Sequence, residues 1–426
     1  MKKLLFLLTF SSFLTSSDAQ TFTATEQQLL KDIEANMPAT MQLLKESVNI
    51  NSGTYNTEGV KKVGAMYAKE LAALGFAIEW ITLPDSLKRA GHLVAYKKGK
   101  KGKKIFIIGH LDTVFEPDMP PNPFTMLNDS TATGQGVNDM KGGDVVVIAA
   151  LKAMHQQGLL NDVSITVYFT GDEENAGEPR DVSRGDFIAR AKQHDVALAF
   201  ETAAGMDKIA TARRGASSWK LEVEGIQGHS SRIFGAGGYG AIYEATRIVN
   251  EFREKMGNQA NLTINPGLFI GGSEVNFTDA AQRGDASGKT NIISPKTVVI
   301  GDLRFISEKQ KDSARTAMRQ IVGQNLKGAK ATIKFFDGIP SMSPTAGNET
   351  LAKMVSDVSQ SLGYGEVKPY TRSGAGDISY VATYLDGLDG FGASGEGAHA
   401  PGETMSLKDF PKLIKRAALV IYKLTR

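Results

Sequence analysis

The sequence predicts an α/β fold, a mixed and mostly parallel sheet with helices on both faces, carrying an inserted α+β unit. Three observations predict it. A chain of 426 residues is long enough for two or three domains with full cores. Short β-branched or aromatic runs alternate with helical patterns through the first half, and strand, helix, strand is the order that builds a parallel sheet. From about residue 215 to 336 the order changes to four strands and two helices, a compact α+β arrangement.

Residues 1–19 read MKKLLFLLTFSSFLTSSDA, with a basic start at Lys2 and Lys3, an apolar run from Leu4 to about Leu14, then small residues. That three-part plan is a secretory signal peptide, with cleavage expected after Ala19 and a periplasmic or secreted mature chain starting at Gln20. The apolar run falls well short of the roughly 20 residues a spanning helix needs, so no membrane partner is expected after cleavage. From Ala24 to about Gly75, LLKDIEANM, MQLLKESVNI and VKKVGAMYAKELAALGF place apolar residues three and four apart, as helices do. KKIFIIGH (103–110), VSITVYFTG (163–171) and VALAFET (196–202) read as strands, with KGGDVVVIAALKAMHQQG (141–158) as the helix between the first two. WKLEVEG (219–225) alternates like a half-buried strand. A helix from Gly240 to Lys255 follows, then strands in LTINPGLFIGG, KTVVIGDLRF and ATIKFFDG, with the helix SEKQKDSARTAMRQIVGQ between the last two. The chain then returns to helix, loop and strand as far as Arg426. The expected division is a main unit of 20–214 with 337–426, and an inserted unit of 215–336.

Composition narrows the ligand. The 49 basic residues nearly cancel the 46 acidic ones, and a net charge of +3 gives no electrostatic case for a nucleic-acid or membrane-surface partner. A small substrate is the expected ligand. With 41% hydrophobic and 22% charged residues the chain is neither disordered nor a multi-span membrane protein. Zero cysteines exclude disulfides, thiolate metal sites, iron–sulfur clusters and a cysteine nucleophile.

Open α/β sheets bind ligands outside the carboxyl ends of their strands, and here those ends are acidic. The first strand ends in GHLDTV, with His110 and Asp112; the second in TGDEE, with Asp172, Glu173 and Glu174; the third in FET, with Glu201. Asp139 lies in GQGVNDMKGG just ahead of the 141–158 helix, and His399 in the glycine-rich loop GASGEGAHAPGET. Read singly, each has a plainer meaning: a capping aspartate in GHLDTV, a solvated turn in Glu173-Glu174. His92, His155 and His194 stand alone and read as structural or surface residues. Together, carboxylates gathered at one sheet edge repel unless a cation neutralises them. Imidazole and carboxylate without thiolate suit zinc first, with manganese or cobalt as alternatives, and a bridging carboxylate is a standard way to hold a metal pair.

The ordered set GHLDTV, GVNDMKGG, GDEE, FET and the GxHxPGE loop resembles the M20 family of co-catalytic metallopeptidases, most closely its secreted glutamate-carboxypeptidase-like branch. The resemblance covers essentially the whole mature chain. It implies a phosphorylase/hydrolase-like main unit that binds two zinc ions, and an inserted unit that makes a homodimer contact and closes over a peptide or N-acyl amino acid substrate. Carried over by position, His110 and Glu201 would hold one metal, Glu174 and His399 the other, with Asp139 bridging them. Glu173 matches the general base that takes a proton from the bridging water. Asp112 matches the carboxylate that orients the His110 imidazole. The Asp139–Met140 peptide is expected to be cis. In the inserted unit, His229 of EGIQGHSS aligns with a histidine that reaches across the dimer as an oxyanion donor. Asn291 and Arg304 align with groups that take the reacting carbonyl region and the substrate's free carboxylate, and Gly374 of RSGAGDISY with a substrate-lining backbone.

The chain departs from the family pattern after His229, reading His229-Ser230-Ser231-Arg232-Ile233-Phe234 where many relatives read H-A-G-x-x-P. The segment EVNFTDAAQRGDASGK (274–289) is longer than a simple hairpin requires and is assigned to the substrate pocket or the dimer edge. The resemblance thus points to a secreted dinuclear zinc carboxypeptidase releasing a C-terminal amino acid, glutamate being one candidate. Its rivals are an N-acyl amino acid deacylase with the same site, and a non-catalytic metal- or peptide-binding protein.

Overall fold

A computed structural model describes residues 22–426; the signal-peptide assignment to 1–19 lies outside the described residues. The main sheet has eight strands in the order Ala77–Ile81, His92–Lys97, Val163–Thr170, Lys101–His110, Val196–Ala199, Asp386–Asp389, Lys208–Arg213, Lys368–Arg372. Lys101–His110 runs parallel to both its neighbours, Val196–Ala199 is parallel to Asp386–Asp389, and Lys208–Arg213 is parallel to Lys368–Arg372. Among the first three strands of the order, each is antiparallel to the next.

The central strands are apolar at successive positions because both faces are buried. Ile105, Ile107, Ile165, Val167 and Leu198 pack against the helices Ala24–Val48, Lys141–Gln156 and Phe410–Thr425. Their alternates Phe106, Ile108, Tyr168 and Ala197 point the other way, onto Phe187 and Ala191 of the helix Arg180–Ala191. Thr23 caps the first helix through a capping box with Glu26, and Asn56 caps Thr57–Ala73. Among the described residues no helix is long and apolar enough to cross a membrane.

A second, antiparallel sheet orders Thr263–Gly272, Lys296–Phe305, Gly215–Gly225 and Ala329–Asp337. Trp219, Leu221, Val223, Val299 and Leu303 form one face and pack on Ile248 and Phe252 of Gly240–Met256 and on Met318 and Ile321 of Glu308–Val322. Lys220 points to the opposite face. The segment read as too long for a hairpin is itself one: Glu274–Thr278 pairs with Arg283–Ser287 around a short turn, and Lys220 Nζ bonds Asp279 in that turn at 2.7 Å. The two chain crossings between the sheets are hydrogen-bonded side by side, Arg213 N–H to Met342 O at 2.9 Å and Met342 N–H to Arg213 O at 3.0 Å.

A third, small sheet matters for function. Gly395–Glu396 pairs with Thr404–Ser406, which pairs with Thr131–Thr133. It places the loop holding His399 beside the one that leads to Asp139.

Candidate metal centre

Lys101–His110 ends in His110, and its parallel neighbours end just ahead of Asp172 and Glu201, so three adjacent strand ends converge. The turn holding Asp139 enters at the N-terminus of Lys141–Gln156, where the helix dipole favours negative charge. A Cβ on Gly143 would come within 2.0 Å of the Phe200 carbonyl oxygen. Gly143 of KGG therefore lets this helix press on the strand end that carries Glu201, while Gly142 lets it close on the Val137 carbonyl and Ala393. The Asp139–Met140 peptide is cis.

Two donor triads result: His110, Asp139 and Glu201, and Asp139, Glu174 and His399, each with its ligand atoms within 4.8 Å of one another. Asp139 belongs to both. Its Oδ1 lies 3.3 Å from His110 Nε2 and its Oδ2 3.2 Å from His399 Nε2. Glu174 Oε2 is 3.2 Å from the same His399 nitrogen, and Glu201 Oε1 is 4.0 Å from His110 Nε2. His110 Nδ1 lies 3.0 Å from the Asp112 carbonyl oxygen. A carbonyl only accepts, so Nδ1 carries a proton; Nε2 faces the triad, where it donates to Asp139 Oδ1 and would give up its own proton to ligate a metal. His399 sits at φ 66°, a left-handed conformation that costs a residue with a Cβ about 1–2 kcal/mol.

Burial raises Glu201 to about 7, with the Asp139 charge adding to the shift. Burial also raises Glu174, and it lifts Glu173 well above the carboxylate range with help from Glu201. Burial pushes Asp139 the same way, but hydrogen bonds to His110 and His399 outweigh it and hold this carboxyl far below its ordinary value. Hydrogen bonds to Asp139 and Glu174 in turn raise His399 to about 11. Four carboxylates, Asp139, Glu173, Glu174 and Glu201, thus crowd two imidazoles in a largely desolvated place, and Glu174 Oε1 is buried without a hydrogen-bond partner. Such an arrangement is stabilised by divalent cations. An all-nitrogen and oxygen donor set suits zinc, and also manganese or cobalt. The residues fit a metal pair.

Residues 106–423 match the pattern of peptidase family M20/M25/M40. The chain belongs to that family. It is therefore a hydrolase of the metallopeptidase class, in a family whose enzymes depend on metal. Carboxypeptidase G2 of Pseudomonas sp. (strain RS-16) is 27% identical over 395 residues, which cover 91% of this chain and 89% of that protein. A succinyl-diaminopimelate desuccinylase of Hydrogenovibrio crunogenus is 25% identical over 390 residues, 88% of this chain and 96% of its own. The crystal structure of aminopeptidase PepT from Bacillus cereus shares the fold, with a TM-score of 0.69 at 14% identity over 94% of this chain and 99% of that one.

Around this M20-family centre, Asp112 differs in detail from the expectation. Its carboxylate Oδ1 is 3.6 Å from His110 Nδ1, too far for a hydrogen bond, and the backbone carbonyl takes that role instead. The carboxylate, fully buried, accepts the backbone N–H groups of Glu173 at 3.0 Å and Glu174 at 3.1 Å, and the Thr54 hydroxyl at 2.6 Å. Asp112 therefore orients the two glutamates as much as the imidazole.

The second sheet's residues group separately. His229 pairs in register with Ile292, and Ser230 N–H donates to Asn291 O at 2.9 Å, so His229 and Asn291 are neighbours. The exposed His229 ring bonds within its own turn and to none of the metal-donor residues: Nδ1 accepts the Ser231 N–H at 3.2 Å. The proton then resides on Nε2, which makes that nitrogen a donor. Arg304 Nε is taken by Asp302 at 2.8 Å, leaving the Nη edge to meet a carboxylate. Gly374 O accepts from Arg213 Nε at 3.0 Å, so this loop is fixed from the chain crossing.

Sequence reading gave no role to Arg184, Arg213 or Asp144. Arg184 is buried between Asp172 and Asp377, and Arg213 between Asp389 and the carbonyls of Gly374 and Ala375. Asp144, fully buried behind His110 with neither oxygen bonded, has its carboxyl raised far above normal by burial. No spacing signal marks any of them. His92 is structural: its Nδ1 accepts the Gly171 N–H at 3.1 Å, so Nε2–H donates to Ser183 O at 3.0 Å.

Proposed function

We propose that the protein is a dinuclear zinc carboxypeptidase that hydrolyses the amide bond before a C-terminal amino acid of a short peptide or N-acyl amino acid. The observation that carries this reading is the division of one carboxylate, Asp139, between two donor triads, with Glu173 adjacent to Glu174 on the same turn. His110 and Glu201 would hold one ion, Glu174 and His399 the other, and Asp139 both. The chemistry that ions held there would supply is polarisation of the scissile carbonyl and a lowering of the pKa of bound water toward about 7. Glu173 takes the proton of the attacking water and delivers it to the leaving amine. The Nε2–H of His229 donates to the developing oxyanion. The Nη edge of Arg304 receives the free carboxylate, a planar match that favours exopeptidase action.

A turnover panel tests the substrate class: free-acid dipeptides, N-acyl amino acids and their C-terminal amides, read as released amine. Free acids are expected to react and amides not. Arg304→Ala is expected to raise KM for free acids about 10–100-fold, the worth of a charged hydrogen bond, and to leave any slow amide turnover alone. An unchanged KM removes Arg304 from the site. A second reading, removal of an acyl group from an amino acid, is supported by the likeness to a desuccinylase. Turnover of N-acyl amino acids without dipeptides selects it.

The proposed donor role of His229 belongs to a homodimer in which each subunit completes its partner's site. Glu173→Gln and His229→Ala chains, each expected to be nearly inactive alone, are then expected to regain activity when unfolded and refolded together. A mixture as inactive as its components places His229 in its own subunit's site or outside any site.

A further inference from the structure

The GxHxPGE loop contains one acidic residue to which no role has been given. Glu403 is 1% exposed and belongs to neither donor triad. Its Oε1 accepts the backbone N–H of Asn138 at 2.7 Å and that of Asp139 at 2.9 Å. Its own carbonyl accepts the Thr133 hydroxyl at 2.6 Å, next to the strand pair Thr404 and Thr133. Four residues earlier on the same loop, His399 reaches Asp139 Oδ2 and Glu174 Oε2.

We infer that Glu403 is a positioning residue: it clamps the His399 loop to the Asp139 turn and so sets the spacing of the donor triad formed by Asp139, Glu174 and His399. The inference rests on the dinuclear reading above. Three observations carry it. The amides it binds belong to the bridging residue and its neighbour, just ahead of a helix whose first N–H groups need acceptors. Apart from the His399–Asp139 contact and the Thr133 hydroxyl bond, the two loops that the clamp joins are tied by strands of two and three residues, Gly395–Glu396, Thr404–Ser406 and Thr131–Thr133. A buried carboxylate placed near the Asp139 carboxylate is also an unfavourable choice of acceptor unless cations are expected there. The fully buried Lys141 is the nearby cationic group, but burial brings its ammonium down to about 7, and its Nζ donates to Ile50 O at 2.7 Å.

The test is zinc titration of the metal-stripped full chain, followed calorimetrically and compared with Glu403→Ala and Glu403→Gln. Glutamine keeps an acceptor oxygen for both amides. The unsubstituted chain is expected to take up two ions. Glu403→Ala is expected to keep one at near-normal affinity and to bind the second about 10–100-fold more weakly, the usual effect of losing a group that supports a ligand. Glu403→Gln is expected to restore most of that loss. Two ions bound normally by the alanine variant overturn the inference, as does a glutamine variant as impaired as alanine. An unsubstituted chain that takes up fewer than two ions overturns the dinuclear reading itself, and the role of Glu403 with it.

Discussion

Glu173→Gln is expected to lower kcat by about 100- to 10,000-fold, the usual contribution of a positioned general base, while zinc stoichiometry stays at that of the unsubstituted chain. The substitution is nearly isosteric. The grip on this turn is a backbone one, Glu173 N–H to Asp112 Oδ1, and an amide side chain leaves it in place. Glu173 is also absent from both donor triads, so its loss removes no ligand. Glutamine keeps the shape and removes the carboxylate's charge and its ability to take a proton. KM is expected to change little, because the carboxylate matters most once the proton is in flight. Retention of full turnover would show that another group accepts the proton, and the mechanism proposed above would fail. Loss of zinc along with activity would instead make Glu173 a ligand.

Much of this architecture is written in residue patterns, and the part that is not has an identifiable physical reason. KKIFIIGH and VSITVYFT are strands buried on both faces, so their continuous apolar character is visible without coordinates. The strand Ala77–Ile81 lies at the sheet edge with its side chains exposed or half-buried, and its AIEWI shows no two-residue alternation to mark it. Strands of two to four residues, such as Gly395–Glu396 and Asp386–Asp389, are too short to show any period. The same division holds in the centre. His110, Asp139, Glu174, Glu201 and His399 announce themselves because acidic and imidazole side chains at strand ends and in glycine-rich turns are chemically conspicuous. Asp112 is conspicuous too, but which of its oxygens meets the imidazole depends on how the turn after the strand closes, and that is a tertiary fact. Arg184 reads as one more charge on the polar helix RDVSRGDFIARA, although it is 1% exposed.

That buried arginine is where the second large effect is expected. Arg184 donates through Nη1 to Asp172 and through Nε to Asp377 at 2.8 Å, joining the turn that carries Glu173 and Glu174 to the glycine-rich loop at 372–380. Arg184→Met fills the space but leaves two buried carboxylates without their cation, which typically costs about 3–5 kcal/mol. Urea unfolding at pH 7 measures it directly. The pH dependence is a sharper check, because burial alone would raise Asp172, yet Arg184, His92, the Gly177 amide and the Ser183 hydroxyl bring it down to about 2 from 3.8. A carboxyl depressed on folding contributes stability that is complete above its unfolded value and is lost as pH falls toward its folded value. The difference from 3.8 to about 2 is worth roughly 2 kcal/mol at one pH unit per 1.36 kcal/mol. In the methionine variant the principal cause of that depression is gone, so the stability gap between the two proteins is expected to narrow by about that amount between pH 4 and pH 2. A gap that is equally wide at pH 2.5 and pH 7 would mean that Arg184 acts by packing and not through its charge. Activity is expected to fall in the same variant even where it remains folded, since the brace holds the turn of Glu173 and Glu174 against the loop that contains Gly374.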